Sequence, residues 1–109
     1  MTGICLRFYM HENLQHHHIL ASEWLLEQAK KMGIHGGSAF RATSGFGRHG
    51  ILHEDHFFEL AGDLPVMVEF VVSNEEAERL LTLIQTEKMP LFYVRTPAEY
   101  DVLNGDAHD

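Results

Sequence analysis

Apolar and polar positions alternate from Ile4 to Met10, with Ile4, Leu6, Phe8 and Met10 on one side and Cys5, Arg7 and Tyr9 on the other. A period of two marks a strand with one face on a core. Residues 11–15 are polar and read as a loop. From about His16 to Met32 the spacing turns helical. Ala21, Trp24, Leu25, Ala29 and Met32 form the apolar stripe, and Glu23, Glu27, Gln28, Lys30 and Lys31 face outward. Glu27 and Lys31 stand in the favourable i,i+4 order, and Gly33 follows where a helix-ending glycine belongs.

Alternation returns over Ser38–Ser44, with Phe40 and Ala42 on one face and Ala39, Arg41 and Thr43 on the other. Gly45-Phe46-Gly47-Arg48-His49-Gly50 interrupts it with three glycines in six residues. A further extended stretch, Ile51 to Leu60, would complete a hairpin arm. Gly62-Asp63-Leu64-Pro65 turns the chain into a third strand, Val66 to Val72. There Val66, Val68, Phe70 and Val72 face one way, and Met67, Glu69 and Val71 the other. Ser73-Asn74-Glu75-Glu76 has the form of a capping box, and Ala77, Leu80, Leu81 and Ile84 mark the second helix. The last strand is expected over Leu91–Arg95, with Phe92 and Val94 toward the core, Tyr93 and Arg95 away from it, and Pro97 as its stop. This divides the chain into a domain at 1–97, with a loop or arm at 45–65, and an acidic tail at 98–109.

The order β-α-β-β-α-β admits few topologies. The common one is α+β and ferredoxin-like: an antiparallel four-stranded sheet with two helices on one face, the third strand between the first and second, and the fourth outside the first. The helices would cover Phe8, Phe40, Phe70 and Val94. The other face would carry Cys5, Arg7, Tyr9, Arg41, Thr43, Met67, Glu69, Val71, Tyr93 and Arg95. That face is too apolar to be plainly wet and too charged to be a closed core. Glu69 on the central strand, between Arg7 and Arg41, suggests a cross-strand Arg–Glu–Arg set, which survives burial only if its members pair. Copies of the chain are therefore expected to cover this face for one another, leaving clefts between subunits.

A length of 109 residues suits one domain, and the apolar and charged fractions, 45% and 22%, are those of an ordinary globular chain. No run of 18 apolar residues exists and the start does not read as a signal peptide, so no membrane insertion and a cytoplasmic location are expected. Cys5, the single cysteine, forms no internal disulfide and makes no zinc site alone. Eight Lys/Arg against sixteen Asp/Glu argue against nucleic acid or an anionic membrane as partner. Yet Gln28 to His53 holds no acid at all, where an even spread would place roughly four. The same window holds Lys30, Lys31, Arg41, Arg48 and three histidines, a setting suited to a small anion.

Gly45-Phe46-Gly47, followed by Arg48 and His49, could bring backbone amides close to a phosphate or carboxylate. It has neither the dinucleotide fingerprint nor a P-loop, and a turn needing glycine is the plain alternative. Nine histidines are many for this length. His16, His17 and His18 at a helix start would point three ways and could not share one ion. His49, His53 and His56 converge only on a helical turn; on a strand His49 and His53 stand roughly 13 Å apart. A threefold axis would change that by supplying one histidine per subunit. No nucleophile or acid–base set is visible, so the chain does not read as an enzyme.

Leu6-Arg7-Phe8-Tyr9, Ala29-Lys30-Lys31-Met32-Gly33-Ile34-His35-Gly36, Phe40-Arg41, Gly45-Phe46-Gly47-Arg48-His49-Gly50-Ile51-Leu52-His53 and Asp63-Leu64-Pro65-Val66-Met67-Val68-Glu69 together resemble the PII-like family catalogued as domain of unknown function 190, over about residues 4–96. The resemblance implies a homotrimer with its sheets lining the centre and ligand clefts between neighbours. It implies a signalling protein whose loop after the second strand reports to a partner, such as a membrane transporter or another regulated protein. The implied ligand is an adenine nucleotide or another small anion, and Arg41, Gly45, Phe46, Gly47, Arg48, His49 and Glu69 are the implied binding positions. The alternative is a CutA-like protein holding a divalent metal through His49 and His53. His17 also falls where the family tends to have histidine. Leu20 stands in place of a usual proline and Ala42 in place of a common glycine. His56 and Glu59 stand where basic residues are frequent, which weakens the case for a polyphosphate.

Overall fold

The computed structural model describes residues 1–46, 52–54 and 64–105. Among these residues ten elements follow in chain order: β1 (Thr2–His11), β2 (Gln15–His16), β3 (Ile19–Leu20), α1 (Ala21–Lys31), β4 (Ser38–Arg41), β5 (Ser44–Phe46), β6 (Leu52–Glu54), β7 (Pro65–Val72), α2 (Asn74–Thr86) and β8 (Phe92–Glu99). The main sheet runs β4-β7-β1-β8 and every pairing is antiparallel. Two helices with this sheet make the ferredoxin-like βαββαβ arrangement that the hydrophobic pattern implies.

The core lies between the helices and one face of the two central strands. Ile4, Leu6, Phe8 and Met10 of β1 and Val66, Val68, Phe70 and Val72 of β7 are all buried, as their alternation requires. Against them pack Ala21, Trp24, Leu25 and Ala29 of α1 and Ala77, Leu80 and Ile84 of α2. The capping box at the start of α2 is formed: Ser73 Oγ accepts from the Glu76 amide at 3.1 Å, and the Glu76 carboxylate accepts from the Ser73 amide at 2.9 Å. Gly37 passes so close to Phe70 that a Cβ there would lie 2.4 Å from its ring, so only glycine fits.

Three expectations are overturned. The first helix begins at Ala21, not His16, because residues 15–20 fold into a tight hairpin pairing Gln15 with Leu20 and His16 with Ile19. Its two turn residues, His17 and His18, are left-handed at φ 52° and 69°, and the Ala21 amide donates to the Leu14 carbonyl at 2.7 Å.

The second correction concerns both edge strands, whose faces are inverted. Cross-strand partners share a face. Phe8 lies opposite Tyr93 and Arg7 opposite Val94, so Tyr93 and Arg95 belong to the helix side, and Phe92 and Val94 to the open side. Arg95 accordingly donates to Glu78 of α2 at 2.8 Å, and Tyr93 lines a concavity of about 310 Å³ beside Phe8, Leu81 and Ile84. On β4, Phe40 lies opposite Met67 and Arg41 opposite Val66, so Phe40 is on the open face, 50% exposed. A phase change of one residue moves every side chain across the sheet.

The third correction is that Pro97 does not end the last strand. Pairing continues to Thr2 opposite Glu99, and the Tyr100 amide donates to the Met1 carbonyl at 2.9 Å. An edge strand leaves half its amides facing outward, where a proline removes no ladder bond.

Candidate functional site

The open face of the sheet is a layered surface. One row across all four strands is Phe40, Met67, Tyr9 and Phe92, in register from β4 to β8. The Tyr9 and Phe92 rings lie 5.7 Å apart, while Phe40 and Phe92 are each about half exposed. The next row is Ser38, Glu69, Arg7 and Val94. Here Arg7 Nε donates to Glu69 Oε2 at 2.8 Å, and the Cys5 thiol donates to the same oxygen at 3.7 Å. Burial pushes the Cys5 thiol up, with Glu69 adding to the rise and Arg7 opposing it. A thiol so placed stays protonated and is a poor nucleophile.

The expected Arg–Glu–Arg set is only half present. Arg7 and Glu69 pair, but Arg41 is out of phase with them and donates instead to Glu12 Oε2 at 2.7 Å. Glu12 is held there because its amide donates to the Leu64 carbonyl at 2.8 Å. Arg41 therefore sits at the base of the arm and not on the central face.

From that base, the Ala42 amide donates to the Pro65 carbonyl at 2.8 Å, and β5 pairs with β6, so an arm hairpin follows the second strand of the main sheet. Gly45 is opposite His53 and Phe46 opposite Leu52 along its backbone. A Cβ on Gly45 would meet Pro65 at an ordinary 3.5 Å, so no special conformation demands glycine there. Gly47, Arg48, His49 and His56 lie outside the described residues, and of His53 only the backbone is described. The expected cradle and the His49/His53 metal pair both depend on those positions.

Sequence reasoning missed a group that the fold brings together. His16 and His17 both place Nε2 2.8 Å from one carboxylate oxygen of Glu87, which follows α2. The expectation that adjacent histidines here must diverge rested on a helix. In the observed hairpin, the left-handed backbone at His17 turns its ring beside that of His16, with ring centroids 4.3 Å apart. The hydrogen bond from His16, and then that from His17, holds the Glu87 carboxyl below its ordinary value.

Comparison with known proteins places this geometry. The family model DUF190, described as uncharacterized ACR, matches residues 3–91. A UPF0166 protein of Aquifex aeolicus (strain VF5) is 36% identical over 63 residues, covering 58% of this chain and 60% of that protein. The match thus spans less than two thirds of the curated relative's length. Two structures of CPII, from Thiomonas intermedia K12, superpose on 90% of this chain and 87% of theirs. One, bound to ADP and bicarbonate, is 23% identical with a TM-score of 0.61. The other, a nitrogen regulatory PII-like protein bound to ADP, AMP and bicarbonate, is 22% identical with a TM-score of 0.63. At this identity the likeness establishes the fold, which is PII-like. Among the described residues no helix is long and apolar enough to cross a membrane.

Proposed function

This chain belongs to the DUF190 family, and from that premise we propose that it is a PII-like regulatory protein, not an enzyme, which assembles as a homotrimer and binds a small anion between subunits. The observation that carries the reading is the continuous row Phe40–Met67–Tyr9–Phe92, in register across all four strands, with Phe40 50% and Phe92 49% exposed. Two half-exposed phenylalanines flanking a tyrosine and a methionine form a contiguous apolar band, and bands of this kind mark surfaces meant for burial. Beside the band the Arg7–Glu69 pair satisfies its own charge, so a neighbouring subunit can cover it without leaving an ion unpaired.

The ligand on this reading is an adenine nucleotide or bicarbonate, the class of molecule bound to the CPII structures. The binding set on this reading is Arg41 at the arm base with Gly45, Phe46, Gly47, Arg48 and His49, which follow it in the chain. Glu69 is engaged with Arg7 and serves the interface instead. Arg41 already has a carboxylate partner in Glu12, so an incoming anion takes Arg41 over from Glu12. Binding would in this way be relayed to the arm, and through it to a regulated partner such as a transporter.

The test combines sedimentation velocity with calorimetry against ADP, AMP and bicarbonate. The expected result is a three-chain species that releases heat with at least one of the three. The Tyr9→Asp variant, with its charge in the middle of the apolar row, is expected to sediment as a single chain and to lose that heat. A wild-type chain that stays monomeric at working concentration would overturn the proposal.

A further inference from the structure

Among the described residues, one group of metal-ligating side chains converges: His16, His17 and Glu87, whose donor atoms all lie within 4.8 Å of one another. Two imidazole nitrogens and a carboxylate oxygen are the ligand types of borderline divalent ions, zinc above all, with copper, nickel and cobalt close behind. Calcium and magnesium prefer oxygen donors. The rings are held from behind by Trp24, edge-on to His16 at 4.5 Å and tilted to His17 at 5.9 Å between centroids.

Two further observations favour a cation beside Glu87. Glu87 is the C-cap of α2, whose last turn contains no basic residue. Free carbonyls give that end of a helix a partial negative charge, so a carboxylate there is repelled unless a positive charge faces it. The backbone on both sides is also unfavourable. His17 and His18 occupy a two-residue left-handed turn of the kind that favours Asn-Gly, and Lys88, next to Glu87, is left-handed at φ 57°. Strain held by non-glycine residues on two segments that meet at one point is characteristic of a functional site.

We propose that His16, His17 and Glu87 form a binding site for a divalent transition-metal ion of the zinc class, distinct from the arm and independent of the nucleotide reading. With metal–ligand bonds of about 2.0–2.2 Å, tetrahedral donors stand roughly 3.3 Å apart. The present 2.8 Å hydrogen bonds would open by about half an ångström, and donor atoms that now lie within 4.8 Å of one another would settle at that common spacing. In the metal-free chain an Nε2–H of each ring points at the carboxylate. Binding uses the Nε2 lone pairs, so a neutral ring carries its proton on Nδ1, while a protonated ring releases one proton to solvent. Three protein ligands leave a fourth position for water or a small anion.

Trp24 is the only tryptophan and makes the site observable. Copper(II) is titrated into the untagged full chain, with tryptophan fluorescence as the readout. Equilibrium dialysis gives the stoichiometry and zinc serves as competitor. The proposal expects one ion per chain, loss of more than half the Trp24 emission, and recovery on adding zinc. It expects affinity at least tenfold weaker in His17→Asn and in Glu87→Gln, and unchanged in a His49→Ala/His53→Ala double variant. His17 is 62% exposed and asparagine tolerates the left-handed turn, so that variant is expected to fold, as circular dichroism will check. Absence of quenching, equal quenching in His17→Asn and Glu87→Gln, or loss of the ion in the double variant would each overturn it. Nucleotide calorimetry on the same variants is expected to match the wild type, which keeps this outcome separate from that of the arm.

Discussion

The two helices among the described residues close with the same backbone motif and opposite chemistry. At the end of α1 the Gly33 amide donates to the Lys30 carbonyl and the Ile34 amide to Ala29. At the end of α2 the Lys88 amide donates to Gln85 and the Met89 amide to Ile84. Both are Schellman caps, in which a left-handed residue lets the chain satisfy the last carbonyls. In α1 that residue is glycine at φ 88°, preceded by Lys30 and Lys31 in the last turn. In α2 it is lysine at φ 57°, preceded by Glu87 and no basic residue. One end follows conformational and electrostatic preference throughout. The other sets a non-glycine residue, Lys88, in the left-handed position and a carboxylate before it, at the point where His16 and His17 arrive from the hairpin. A helix end that served only to stop the helix would have no reason to differ, and the difference locates the site where local stability has been given up.

Substitution can break this contrast from either side. The largest effect is expected for Gly33→Ala. Nothing lies within 4 Å of the added Cβ, so the cost is backbone strain alone, about 1–2 kcal/mol, measured by urea denaturation. Next is Ser73→Ala at the orthodox start of α2, which removes the reciprocal cap and should cost about 1 kcal/mol. It shows whether α2 is sensitive at its ends in general. Lys88→Gly should act in the opposite direction and stabilise by about 0.5–1 kcal/mol, as glycine accepts φ 57° without strain. A loss there would mean that the lysine side chain contributes more than its backbone costs.

The smallest effect concerns pH. Hydrogen bonds from His16 and His17 depress the Glu87 carboxyl in the folded chain below its ordinary value of 4.5. A depressed carboxyl contributes stability above the unfolded-state value and loses it as pH falls through the folded one. In metal-free buffer Glu87→Gln should therefore be less stable than the wild type near neutrality. The gap should close below about pH 4.5 in thermal melts across a pH series, and a gap that stays constant with pH would remove the carboxylate from the account.

Much of this molecule is legible in the order of its residues. The alternation of β1 and β7, the stripes of both helices, the Ser73–Glu76 box and the Gly33 stop are local patterns, and each is realised because the central strands and helices bury one whole face. The edge strands gave no such purchase. All four residues of β4 are exposed and none of β8 is fully buried. With neither face committed to the core, a period of two has no preferred phase, and pairing to β7 and β1 decides it. That choice moved Phe40 and Phe92 onto the open face, sent Arg95 to Glu78, and left Arg41 with Glu12 instead of Glu69.

The His16–His17–Glu87 group is separated by some 70 residues of chain, and no spacing rule reaches that far. The sequence alone determined the two central strands and the bodies of α1 and α2, because burial of a single face imprints its period on the chain. Only the tertiary structure decided which side chains meet, because contact between distant segments depends on register and turn conformation. The alternation of residues does not encode either of these where neither side of a strand is buried.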